Sequence, residues 1–117
     1  MSKDKTPLEL VNELADMLIN MEEKGLIHES RIIQVEEVMA AIYPKENREY
    51  NKANGQVDPN DEEYCPTNPP YMLIDYVENK EQFAEDYKNA INLCVNSNQY
   101  FSDIEVAAEM VIDQRNY

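Results

Sequence analysis

At 117 residues the chain is expected to form one domain, 1–117, with a single core and little surplus stability. A hydrophobic share of 43% lets it fold, and no stretch approaches the ~18 apolar residues of a membrane span or a signal-peptide run, so a soluble, cytoplasmic protein is expected. Its 24 acids against 10 bases give a formal charge of -14, past the net charge of about 2 to 8 that keeps a small domain soluble; such a surface repels phosphates, disfavouring direct nucleic-acid binding, and steers basic partners.

Thr6-Pro7-Leu8-Glu9 is a capping box with proline at the first helical position. Leu8, Val11, Leu14, Ala15, Leu18 and Met21 then recur at helical spacing, and Gly25 supplies a left-handed stop, which predicts a helix over 7–24. A second amphipathic run begins near Ser30 and carries Ile32, Val35, Val38, Met39 and Ile42 on one face until Pro44 stops it. The short GLIHE between the two predicts an antiparallel helical hairpin.

From Pro44 to Pro70 the apolar pattern lapses, and prolines, NG and DP pairs predict a long polar loop over 44–70. Its first half carries Lys45, Arg48 and Lys52, whereas Ala53 through Asn79 holds six acids and no base. Pro70 then opens a short helix over Tyr71 to Val77. The segment YMLIDYV has the composition of a strand too, but no second strong strand exists for it to pair with. Asn79 and Gln82 cap a further helix bearing Phe83, Tyr87, Ala90, Ile91 and Cys94. In the last helix Ser102 and Glu105 form a capping box, and Phe101 with Val106 has the spacing of a hydrophobic staple. Ile104, Ala107, Ala108, Val111 and Ile112 make its buried face, with Glu105, Glu109 and Asp113 on the solvent side. The fold expected is all-α, a small bundle of four to five helices; an α+β arrangement with a minor sheet is the alternative.

No enzymatic chemistry is expected. GxSxG, HExxH, P-loop and GxGxxG patterns are absent, and two glycines leave little for a phosphate cradle. The lone imidazole, His28, reads as a surface residue in the turn after the first helix. DPNDEE begins like a calcium loop, but Glu63 stands where the turn glycine belongs and Pro69 where the bidentate glutamate belongs, so no metal or cofactor is expected. Cys65 and Cys94 fit neither a disulfide framework nor a zinc spacing and read as reduced thiols. Eight tyrosines outnumber two phenylalanines. Tyr50, Tyr64 and Tyr71, in or beside the loop, suit an interface, and Tyr43, Tyr76 and Tyr87 suit the edges of the core.

Acids are seldom paired on the predicted helices. Glu85 with Lys88 has the stabilising spacing, while Glu9 with Glu13, Glu13 with Asp16, Glu81 with Glu85 and the stripe Glu105, Glu109 and Asp113 place like charges together. Carboxylates four apart on a helix are about 6 Å apart along its axis, comparable with neighbouring phosphates on a strand. In whole-chain length, acidity and lack of catalytic motifs the chain resembles the DNA-mimic proteins, small acidic bacterial and phage proteins that occupy DNA-binding surfaces. The resemblance implies a monomer whose partner is a basic DNA-binding protein, such as the histone-like nucleoid protein HU. The basic cluster Lys45, Arg48 and Lys52 departs from that pattern. The residues expected to meet a partner are Asp58, Asp61, Glu62, Glu63, Glu78, Glu81, Glu85, Glu105, Glu109 and Asp113. An immunity protein, antitoxin or adaptor that grips one specific partner is the alternative, and a charge that serves solubility alone is the third.

Overall fold

Thr6 opens the first helix in the way its spacing predicts. In the computed structural model, which describes residues 6–55, 67–97 and 100–115, the Glu9 amide donates to Thr6 Oγ1 at 3.2 Å and the Thr6 amide reaches Glu9 Oε1 at 3.4 Å. Helix α1 spans Pro7–Glu23 and ends in a Schellman motif. The Leu26 amide donates to the Met21 carbonyl at 2.8 Å and the Gly25 amide to that of Glu22 at 3.0 Å. Gly25 sits at φ 74°, a conformation that costs a residue with a Cβ about 1 to 2 kcal/mol.

Helix α2 spans Glu29–Ile42. His28 is its N-cap: Nδ1 accepts from the Ser30 amide at 3.1 Å, which leaves Nε2 to carry the proton of the neutral ring. Pro44 ends α2, yet it also begins α3, Pro44–Ala53, so the loop expected over 44–70 is helical through its first ten residues. Proline suits the first position of a helix as well as the position after one. Aliphatic periodicity could not reveal α3, because its inward face is polar: Asn47 and Asn51 are buried. Asn68 Nδ2 donates to Asn47 Oδ1 at 3.0 Å and to Asn51 Oδ1 at 2.7 Å, clamping the returning chain onto α3. Lys45, Arg48 and Lys52 share the outer, exposed side of this helix.

Pro70–Leu73 forms the one-turn helix α4, continued by a 3-10 turn over Ile74–Tyr76; the segment is helical, as expected, and no strand occurs among the described residues. Helix α5, Lys80–Ile91, is capped by Asn79, whose Oδ1 accepts from the Gln82 amide at 3.0 Å. It runs on into a π turn, Asn92–Asn96, closed by the Ser97 amide on the Asn92 carbonyl at 2.9 Å. Helix α6 spans Ile104–Asp113. Its cap is Asp103, whose Oδ1 accepts from the Glu105 amide at 3.0 Å. The capping box expected from Ser102 and Glu105 is therefore not used: a carboxylate one residue later offers the stronger acceptor. Val106 is 47% exposed and outside the core, so the expected staple to Phe101 does not form either.

Helix α5 is the centre of the bundle. It packs against α1, α2 and α6, while α2 lies along α6 and α4 covers α1. Phe83, Leu18, Met39, Leu73, Ile74, Ile91, Val11, Val35, Val38 and Val111 fill the core, each contributing about 1.5 to 3 kcal/mol by leaving water. Tyr43 meets Phe83 edge-on at 5.0 Å. Tyr87 is buried too, but Tyr76, expected at the core edge, is 36% exposed and stacks edge-on with Tyr50 at 5.7 Å. The hairpin of α1 and α2 is looser than its short connection implies: α1 makes its close approaches to α5 and α4, and a cavity separates it from α2.

Candidate acidic interaction surface

The electrostatics of the bundle are arranged around one buried acid. Asp86, on the inner face of α5, is inaccessible to solvent. Arg115 clasps it with two hydrogen bonds, Nη2 to Oδ2 at 2.7 Å and Nε to Oδ1 at 3.1 Å. The Tyr43 hydroxyl donates to Oδ2 at 2.6 Å and Gln82 Nε2 to Oδ1 at 3.1 Å. Burial, then the hydrogen bond to Asp86, pushes the Tyr43 hydroxyl well above the ordinary phenol range. The same carboxylate holds the Arg115 guanidinium more firmly protonated. Four side chains from α2, α5 and the end of α6 thus close on one point.

This arrangement consumes base. Besides Arg115, Arg31 Nη1 donates to the Cys94 carbonyl at 3.3 Å and Lys80 Nζ to the Val77 carbonyl at 2.9 Å. Three of the chain's 10 bases therefore serve the interior or the backbone. Glu85 and Lys88, despite their spacing, make no ion pair among the described residues. The Asp86–Arg115 pair is neutral as a unit, so the rest of the chain carries the whole formal charge of -14.

Of the six expected contact residues that fall among the described residues, five lie outward. Glu105, Glu109 and Asp113 are exposed along α6, Glu78 and Glu81 are exposed, and Glu85 is half-buried on α5. Glu78 and Glu81 line an open groove with Pro7, Asn79 and Lys80, where the starts of α1 and α5 meet. The α6 stripe is a separate row, so the structure brings the expected residues into two groups. Asp58, Asp61, Glu62 and Glu63 lie outside the described residues, as do Tyr64 and Cys65. The acids are spread rather than gathered: among the described residues no three His, Cys, Asp or Glu side chains form a metal-binding group.

Helix termini add a second point. Glu9, Glu29, Glu81 and Glu105 stand in first turns, where the macrodipole favours anions. Glu22 and Glu23 end α1 and Asp113 ends α6, at the negative poles, and neither helix has a base in its last turn. Those three acids oppose local helix stability.

Sequence periodicity passed over two acids with particular surroundings. Asp86 interrupts the apolar face of α5 between Phe83 and Ala90, and Glu36 interrupts that of α2 between Val35 and Met39. A charge at an inward helical position was the available signal. Glu36 lines a cavity of about 90 Å³ between α1 and α2, with Leu18, Ile32, Pro70, Tyr71 and Tyr87 among its walls. Burial, followed by the charges of Glu29 and Glu37, raises its carboxyl above the ordinary range. Burial, with Glu36 and Tyr71 adding to it, also pushes the Tyr87 hydroxyl well up. Cys94, a free buried thiol, is pushed up to about 11 by burial, against the opposing charge of Arg31.

Fold and surface together define a small all-α bundle with acidic outer faces and no helix, among those described, long and apolar enough to cross a membrane. Comparison with known proteins finds no family model, no curated protein and no solved structure that matches the chain.

Proposed function

We propose that this chain is a DNA mimic, a non-enzymatic protein that occupies the DNA-binding surface of a basic protein and competes with DNA there. The observation that carries this reading is the row Glu105, Glu109 and Asp113, exposed along α6, without an ion pair among the described residues and with no base in the last turn of the helix. A surface designed for solubility or helix stability would pair those acids with the few bases present. Size agrees. The long dimension is 46 Å, beside which duplex DNA presents about 27 phosphate charges, roughly half of them on one side. A net charge of -14 is of that order. In length and acidity the chain resembles the Neisseria DNA mimic that binds HU, so a histone-like nucleoid protein is the first partner to test. The basic outer side of α3 lies outside the mimic face.

The experiment is a titration of the chain with purified HU by calorimetry over a salt series, with duplex DNA as competitor. Binding should weaken steeply as salt rises, and DNA should displace the chain. Affinity that is flat with salt, or a complex that forms alongside DNA, overturns mimicry. The alternative is an immunity protein, antitoxin or adaptor with one specific protein partner. It is favoured by Met17, which is 39% exposed, and Leu26, 67% exposed, beside Glu13 and Asp16 in a shallow groove on α1. Losses on changing Met17 and Leu26 to alanine that exceed those from reversing the α6 acids select that reading.

A further inference from the structure

We propose that the cavity between α1 and α2 is a binding site for a primary alkylammonium group, its alkyl part held by Leu18, Ile32 and Pro70 and its charged head met by Glu36, Tyr71 and Tyr87. The volume, about 90 Å³, is well above the ~10 to 15 Å³ that a cavity needs to hold one water, which leaves room for a short chain of carbons. Mostly apolar walls with a few polar groups are the usual make-up of a small-ligand site.

The polar groups choose the charge. Glu36 makes no hydrogen bond or ion pair among the described residues, and no lysine or arginine lines the cavity. Glu29 and Glu37 make its surroundings more negative still. An anion is repelled, and a neutral alcohol leaves the carboxylate without a counter-charge. A primary ammonium has three N–H donors for one carboxylate and two phenol oxygens, and tyrosine faces attract a cation. A planar guanidinium, with five donors and greater width, fits this set less well. The inference stands apart from the mimic reading, because the cavity is distinct from both groups of exposed acids.

Two sources carry this chemistry, a free amine and a lysine side chain on another protein. Methyl NMR of the full chain, read at Leu18 and Ile32, tests both with n-butylammonium, 1-butanol and Nα-acetyl-lysine N-methylamide. Butylammonium should give saturable shifts at both residues, and butanol should bind about tenfold or more weakly. Glu36→Gln should weaken butylammonium by a similar factor while the unfolding midpoint of the chain holds or rises. Equal shifts from the lysine amide assign the site to a partner's side chain, and shifts from butylammonium alone assign it to free amines; either supports the site. Butanol binding as well as butylammonium, an unchanged affinity in Glu36→Gln, or no saturable shift overturns it. Salt-sensitive HU binding that survives Glu36→Gln leaves the mimic reading intact whatever the amine result.

Discussion

Replacing Arg115 by alanine takes the one guanidinium from the buried Asp86 carboxylate while leaving the apolar core untouched. Asp86 is wholly buried, whereas the Arg115 side chain is 28% exposed. Breaking a buried ion pair costs about 3 to 5 kcal/mol, because the surviving charge is left unpaired. Two features set the loss at the lower end, about 3 kcal/mol: Arg115 is partly hydrated already, and Tyr43 and Gln82 still donate to Asp86. That is a large share of the ~5 to 15 kcal/mol that holds a domain folded. In urea unfolding followed by circular dichroism, the midpoint should fall by about 1 to 3 M at an ordinary slope. A double variant, Asp86→Leu with Arg115→Met, should cost less than Arg115→Ala, since it removes both charges. A loss below about 1 kcal/mol in the single variant, in the range of exposed pairs, refutes the reasoning, as does a double variant less stable than the single.

Asn68→Ala removes the amide that bridges Asn47 and Asn51 and should cost about 1 to 3 kcal/mol, with hydrogen exchange rising first in α3; equal acceleration across the bundle would contradict a local clamp. Glu36→Gln should stabilise the chain at neutral pH by a few tenths of a kcal/mol after allowance for solvent screening. The sign follows from the raised carboxyl. Its charged form is disfavoured by folding, so the penalty is present at high pH and vanishes as pH falls below the unfolded-state value; thermal melts of both proteins from pH 3 to 8 should show the difference closing in acid. Glu23→Lys, at the negative pole of α1, should add about 0.3 to 1 kcal/mol at low ionic strength, and loss of that gain in 1 M salt checks its electrostatic origin.

Helices α1 and α2 were legible because their apolar faces and ends are local. Thr6 with Glu9, Gly25 and the rows beginning at Val11 and Ile32 act within a few residues, and α1 and α2 end within a residue of the expected places. Helix α3 was not legible, because asparagines rather than aliphatics face inward and their partner, Asn68, lies 21 and 17 residues away. The start of α6 was visible, but the capping-box spacing of Ser102 and Glu105 hid the stronger carboxylate acceptor of Asp103 one residue later. The exposed stripe of α6 followed from periodicity. The cavity at Glu36 did not, since its walls come from α1, α2 and the segment around Pro70.

The Asp86 clasp also bears on how the chain is made. Asp86 is added to the growing chain 29 positions before the guanidinium that pairs with it. At about 5 to 20 residues per second the interval is roughly 1.5 to 6 s. Over that interval the carboxyl on the inner face of α5 has no guanidinium to meet, and burying it without one is costly. The clasp can therefore close only once the residue two positions beyond α6 has been made, which places this contact late in the assembly of the bundle.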